Sequence, residues 1–355
     1  MSFRSRRAAG KPMIATLAAA GTVLTAIALA GPAQAATTSY KLTLSPIAGT
    51  GYSAINNNGA IIGNAEGSGG FLTAALFKTG SAAPTFLGAP ASQPSGDTLV
   101  IAEAINDANQ IVGESDTGLF TALEWPGSAT PTDLSQLPVL ASTLFNTQAT
   151  SVNNSGLIVG YGQNTKDADT PFTIQNNTVT KLPVLPSGGV DAQPIALSST
   201  GTIVGQADTR TQDFQAVEWV SSKISRLASL AGTLTSEAVA VNSSGQAVGS
   251  AVLSDLNAHP VLWANGKATE LHFGNDSADS TANAINDSGV IVGNGANGDA
   301  FIYRNGTATD LNSLLPAGSG ITLITADSIN NNGDIVGTAV NAQGEQFGYE
   351  LTPVS

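Results

Sequence analysis

Short apolar runs separated by turns rich in Asn, Gly and Ser recur along the chain from residue 40 to its end. The first clear example places Ala54-Ile55 before Asn56-Asn57-Asn58-Gly59 and Ala60-Ile61-Ile62-Gly63 after it. Two apolar runs around a turn that needs a positive backbone dihedral predict a β-hairpin. The same ten-residue pattern returns at 104–113, 151–160, 196–205, 240–249, 284–293 and 328–337, and the closing glycines step by 50, 47, 45, 44, 44 and 44 residues. Where six units carry glycine in the turn the second carries Asn109, the residue that best tolerates the left-handed region after glycine. The second glycines (Gly63, Gly113, Gly160, Gly205, Gly249, Gly293, Gly337) fall in or at the end of the second strand, which predicts a bulge or close backbone packing there.

Two more strands follow each hairpin. The third strands include 74–77, 122–125, 216–219, 260–263 and 300–303; turns such as Asn265-Gly266 lead to short fourth strands such as 268–271. Four short strands in about 45 residues is the length of one propeller blade, whereas a β-helix coil needs about half of it. The seventh unit runs out at its third strand, 347–352, and residues 40–44 read as a fourth strand with no first three before it. Pairing the two would complete the last blade and remove the sheet edges that an open array exposes. The fold expected is all-β: a seven-bladed β-propeller of four-stranded antiparallel blades, its last blade closed by the N-terminal strand.

Residues 1–35 stand apart. Arg4, Arg6, Arg7 and Lys11 precede an apolar run over 13–30, and Ala33-Gln34-Ala35 offers a small-x-small cleavage site. That predicts a signal peptide over 1–35, cleaved outside the fold, and one propeller domain over 36–355. A retained anchor fits less well, because the run is rich in Ala, Gly and Thr and ends at Gly31-Pro32. Ser5-Arg6-Arg7 resembles a twin-arginine signal without the apolar residues that should follow it, which favours general secretion. The protein is expected outside the cytoplasm: secreted, periplasmic or on the cell surface.

The repeat unit Ala-Ile-Asn-x-x-Gly-x-Ile-Val-Gly, with His259-Pro260-Val261-Leu262-Trp263 after it and Thr309-Asp310-Leu311 as a tail, resembles the HAF-family extracellular repeats of bacteria. Of the His-Ala-Phe tripeptide that names them only His259 matches; Thr73, Thr121, Thr170, Gln215, Asp299 and Gln346 hold the equivalent places. The resemblance implies secretion and a repeat fold, and carries no reaction, cofactor or catalytic residue.

Charge narrows the partners. Past residue 35 there remain nine Lys or Arg against 26 Asp or Glu, a formal charge of −17, which disfavours nucleic acid and anionic lipid. No second apolar span follows, so no membrane insertion is expected after signal removal. Charged residues make up 11% and apolar ones 42%, the balance of a folded chain rather than a disordered one. A monomer with an unidentified extracellular ligand or protein partner is the expectation.

Chemistry is sparse. With no Cys, thiolate metal sites and thiol nucleophiles are excluded; with only His259 and His272, so is a three-His metal site. No Gly-x-Ser-x-Gly elbow, Walker loop or dinucleotide fingerprint occurs, and both histidines read as ordinary strand or surface residues. The repeated Asn56, Asn106, Asn153, Asn242, Asn286 and Asn330, with Ser198 in the fourth unit, would form a ring whose side chains bond their own turns. Phe77, Trp125, Trp219, Trp263 and Tyr303 read as packing between blades rather than a sugar platform. The second-to-third strand loops hold Glu66; Glu114 and Asp116; Asp167 and Asp169; Asp208 and Asp213; Asp255; Asp299; and Glu345. A meander gathers these loops on one negative face, which serves solubility or recruits a basic partner or divalent cation. No loop has a dedicated calcium spacing, so no cofactor is expected beyond weak Ca2+ shared between blades. The function read from the sequence is a non-catalytic binding or display scaffold; the alternative is an extracellular hydrolase or lyase acting at the central channel mouth.

Overall fold

The computed structural model describes residues 39–354 apart from 68–71, 79–82, 92, 94–97, 187, 188, 212, 274–278, 297 and 317. The expected export segment over 1–35 and part of the long first-unit loop at 80–97 lie outside the described residues. The chain forms seven antiparallel sheets, six of which have four strands in simple sequence order. These are blade 1 (51–86), blade 2 (99–133), blade 3 (145–181), blade 4 (192–226), blade 5 (235–270) and blade 6 (281–310).

Blade 7 is built from both ends of the chain. Its inner strand comes in two pieces, Ile321–Leu323 and Ser328–Ile329, followed by Ile335–Asn341 and Gln346–Val354. The fourth strand is Ser39–Leu44, paired antiparallel with the last one in a register that runs from Ser39 opposite Val354 to Leu44 opposite Tyr349. Tyr40 is buried in this blade's core, and Leu42 and Leu44 pack against it. The complementary ends read in the sequence therefore meet.

Every repeat hairpin carries one device. In blades 1 to 6 the inner strand shifts register two or three residues before the repeated Asn or Ser, as between Ala102 and Ala104, and in blade 7 the strand breaks there. The carbonyl that the bulge pushes out lands on the second repeat glycine. A Cβ on Gly113 would overlap the carbonyl oxygen of Ile101, and one on Gly249 that of Glu237. The expectation of a bulge at the second glycine thus holds, because no side chain fits where two backbones meet. Asn109 takes φ 59°, the left-handed conformation that its place in the turn requires.

Packing between blades supplies the core. Trp125, Trp219 and Trp263 are buried, and their indole N–H groups donate to the carbonyls of Gly88 (3.0 Å), Pro183 (2.8 Å) and Ala228 (2.7 Å), in the connections that follow the preceding blades. The aromatic position is therefore packing between blades. One feature departs from an all-strand reading. The link from blade 2 to blade 3 holds a 3-10 turn, Leu134–Gln136, capped by Asp133, and a short helix, Pro138–Thr143, with proline in its first turn. Leu134, Leu140 and Leu144 fill that interface, where blade 3 carries Ile174 in the place of a tryptophan.

Candidate functional site

On the face formed by the hairpin turns, the repeated asparagines surround the axis. Each side-chain oxygen accepts backbone N–H groups of its own turn, as Asn242 Oδ1 does from Ser244 (3.1 Å) and Gln246 (3.0 Å). The amide oxygen thus serves its own turn, and the amide nitrogen remains. The Nδ2 group reaches the carbonyl of the same position in the next blade: Asn56 to Asn106 (2.9 Å), Asn106 to Asn153 (3.0 Å) and Asn153 to Ser198 (3.2 Å). The series resumes from Asn242 to Asn286, Asn286 to Asn330 and Asn330 to Asn56, each at 3.1 Å. Six of seven blade junctions are thus clasped, and the last bond closes the ring across 274 residues.

A second tier lies outside the first. The backbone N–H of Asn57 donates to Asp107 Oδ1, Asp107 to Asn154, Ser243 to Asp287, Asp287 to Asn331, and Asn331 to Asn57, all at 2.8–2.9 Å. Burial works against the charge of Asp107, yet the bonds from Asn57 and Asn154 hold its carboxyl below the usual range. Asp287 is likewise pulled down against burial, by bonds from Ser243 and Asn331. Both tiers stop at blade 4, where Ser198 and Ser199 are too short to reach. Below the tiers, the aliphatic side chains of Ile55, Ile105, Val152, Leu197, Val241, Ile285 and Ile329 line the same cavity of 190 Å3. The inner tier of the mouth repeats asparagine around the axis, broken only by Ser198, while the outer tier mixes Asn, Asp and Ser.

Serine at one junction makes the clasp measurable. Ser198→Asn is expected to add the missing bond to the carbonyl of Asn242 and raise stability by about 1 kcal/mol. Asn242→Ser leaves the buried carbonyl of Asn286 without its donor and should cost roughly 1–3 kcal/mol. Urea denaturation of the two single variants and the double variant reads both, and equal stabilities would dismiss the clasp.

The ten acidic residues expected in the second-to-third strand connections prove unequal: Glu66, Asp116 and Asp208 end second strands and Asp169 opens a third. Glu66, Asp167, Asp213, Asp255 and Glu345 are exposed, and Asp116, Asp169 and Asp299 half-buried. Asp208 is buried, and its carboxylate accepts the backbone N–H of Asp191 (2.9 Å). Glu114 corrects the reading most. It lies inside the strand Gln110–Asp116 rather than in the loop, directly after the bulge-facing glycine, and is only 4% exposed. Among the described residues no group of three or more Asp, Glu or His is placed to hold a metal ion.

Glu114 belongs to a group that loop position does not reveal. Burial, then repulsion from Glu103 and Asp116, pushes its carboxyl up to about 8. Its Oε2 is buried without a hydrogen-bond partner among the described residues. Glu103, on the inner-strand bulge of blade 2, is exposed at its surface, yet desolvation by the protein around it raises its carboxyl too. From blade 3, Tyr161 donates to Gln148 (2.8 Å), and burial followed by Asp169, Glu114 and Glu103 drives its phenol up to about 12. Asp169 accepts from Gln193 (2.6 Å), but burial outweighs that bond and raises its carboxyl. At the bulge position of blade 7, burial raises Asp327 to about 6 against a bond from Thr325. Glu103, Asp327 and Tyr161 were missed by a reading that weighed acids by loop. Glu103 and Asp327 are the charged members of a position otherwise held by Ser53, Thr150, Ile195, Val239 and Asn283.

His259 heads the third strand of blade 5 and bridges two carboxylates, Nδ1 to Glu270 at 2.7 Å and Nε2 to Asp255 at 3.1 Å. Burial opposes its charge, but the bonds to Glu270 and Asp255 prevail and raise the imidazole above its ordinary value. Both ring nitrogens are occupied, so this histidine ties a turn to an outer strand and offers no free base.

No protein-family model matches the chain, and no curated protein matches it. Among solved structures it is similar to the β-propeller domain of the Trilobed protease from Pyrococcus furiosus, at 9% identity and a TM-score of 0.55 over 88% of this chain and 97% of that one. That domain has an open velcro topology, whereas here the chain ends pair. A puromycin-hydrolyzing peptidase from Mycobacterium tuberculosis aligns at 12% identity and a TM-score of 0.52, over 88% of this chain and 55% of the peptidase. The BP39L lectin from Burkholderia pseudomallei covers 90% of this chain and 99% of its own, at 11% identity and a TM-score of 0.46. At such identities the likeness is one of fold. The chain is a seven-bladed β-propeller whose last blade is completed by its own N-terminal strand.

Proposed function

We propose that the protein is an exported, non-catalytic propeller of the HAF-repeat kind, a rigid scaffold whose loops and grooves bind an extracellular ligand or partner. The observation that carries this reading is the channel mouth. Its polar side chains are engaged in bonds that hold turns and join blades, and the position is filled by one residue type in six of seven units. Catalysis by acid, base or nucleophile needs dissimilar groups brought together at one point. A repeated asparagine supplies none of these, and the two carboxylates of the outer tier, Asp107 and Asp287, are engaged by backbone and amide N–H donors of neighbouring blades. Lattices of turns on a stiff ring suit recognition instead, because little ordering remains to oppose binding.

A second reading, an extracellular hydrolase or lyase, is favoured by the Glu103, Glu114 and Tyr161 group, where two raised carboxyls and a phenol break the repeat symmetry. Turnover of glycosides, polyuronates, esters and peptides, assayed beside binding to arrays of immobilised glycans and peptides, separates the two. Binding without turnover is the expected result. Turnover that disappears in Glu103→Gln and Glu114→Gln would overturn the scaffold reading in favour of the enzyme.

A further inference from the structure

A cavity wider than the channel mouth lies at the junction where the ring closes. It occupies 520 Å3 between blade 7 and blade 1 and opens beside the hairpin turns. It exists because the junction departs from the repeat on both sides. Blades 2, 4 and 5 push a tryptophan against the preceding blade, whereas blade 1 has the smaller Phe77 in that place. After the outer strand, Leu87, Leu182, Leu227 and Leu271 donate their N–H groups to a third-strand carbonyl at 2.8–2.9 Å; Ser45 makes that bond here, to Gly348 at 2.7 Å. Tyr52 stands where the other inner strands carry Ala or Pro, and its ring meets Phe77 at 4.8 Å and 59°. The junction has exchanged an indole and a leucine for a groove floored by two aromatic rings.

Its walls are charged with both signs. Lys41 and Lys78 line it, two of nine basic residues past residue 35, and among the described residues neither forms an ion pair within 4 Å. Asp334 and Glu350 line it too. Asp334 spends one oxygen on Asn330 Nδ2 (2.8 Å). Burial and then Asp334 raise the Glu350 carboxyl, with Lys41 pulling it back, so this carboxylate is left short of positive charge. Buried apolar floor, a few convergent polar groups and ample volume are the features of a small-molecule site.

We propose that the seam between blades 7 and 1 binds a small zwitterion with an apolar body, such as an apolar amino acid, its carboxylate held by Lys41 and Lys78 and its ammonium by Glu350 and Asp334. Two cations and two carboxylates over an aromatic floor match a ligand that carries one charge of each sign on an apolar frame. A singly charged ligand leaves one pair of wall charges desolvated and unmatched, which penalises it. The inference rests on the reading of the molecule as a binding propeller and names a ligand class for it.

Isothermal titration calorimetry of the full chain with phenylalanine, leucine, phenethylamine and 3-phenylpropionate tests it. The amino acids should bind, and the two singly charged analogues should bind at least ~10-fold more weakly, the weight of one charge contact. Glu350→Gln and Lys78→Met should each weaken phenylalanine by a similar factor of about 10 while leaving the melting curve in place. No heat with either amino acid, analogues binding as well as phenylalanine, or variants that bind like the parent would each overturn the proposal. Array binding that persists while the seam is silent would leave the scaffold reading standing; silence in both would sink both.

Discussion

Replacing Glu114 by glutamine is expected to stabilise the protein by an amount that grows as the pH rises from about 5 to 9. The folded carboxyl is pushed up to about 8, whereas the unfolded one ionises near its ordinary value of 4.5. Between those values the unfolded chain has released a proton that the folded chain still holds, so stability falls with rising pH. Above the folded value the penalty is complete. Each unit of displacement is worth about 1.4 kcal/mol, which puts the cost at several kcal/mol before local relaxation; about 3 kcal/mol at pH 9 is a fair expectation. Glutamine keeps the shape, carries no charge, and removes the repulsion felt by Glu103. Urea denaturation should give nearly equal stabilities for parent and variant at pH 5 and diverging ones at pH 9. Parallel curves across that range would mean that Glu114 is hydrated in the folded protein.

The second large effect concerns the closing strand. A chain beginning after Leu44 loses the fourth strand of blade 7 and with it Tyr40, Leu42 and Leu44 from one core. Burial of three such side chains is worth roughly 5–8 kcal/mol, comparable with the whole stability of a typical domain. It also bares the nine-residue strand Gln346–Val354 as an unpaired edge, open to pairing with other chains. The shortened protein is expected to lose its cooperative melting transition and to aggregate, and a synthetic peptide spanning the strand should recover part of the fold when added in trans. A shortened chain that melts cooperatively at the parent's temperature would show that the ring does not depend on this strand.

Much of this fold was legible because the repeat writes its geometry into residue types. Glycine recurs where a bulge carbonyl leaves no room for a Cβ, asparagine where a turn needs a side-chain acceptor, and apolar pairs where strands face the next blade. The incomplete first and last units gave the closure. What stayed hidden depended on contacts between blades, which a single unit cannot express. The Asn Oδ1 is satisfied within its own ten residues, but its Nδ2 partner lies 44 to 50 residues on, or 274 back to the start. Glu114 looked like a loop acid because it stands near one, yet strand alternation after Gly113 turns it into the junction with blade 3. A comparison of units could have singled it out, since Asn64, Tyr161, Gln206, Ser250, Asn294 and Thr338 hold that place elsewhere. The seam cavity comes from three departures, Ser45, Tyr52 and Phe77, whose convergence is visible only once the ring is closed.

Closure can be tested in one measurement, because the chain has no cysteine of its own. Ser39 and Val354 are exposed register partners at the end of the closing pair. In the Ser39→Cys, Val354→Cys double variant, oxidation should give an intramolecular disulfide in a monomer, identified by mass spectrometry of the linked peptides. Melting should shift upward, because the cross-link constrains the unfolded state; a disulfide typically contributes roughly 2–4 kcal/mol. Failure of the two cysteines to join, or a disulfide formed only between molecules, would contradict a ring closed by its own N-terminal strand.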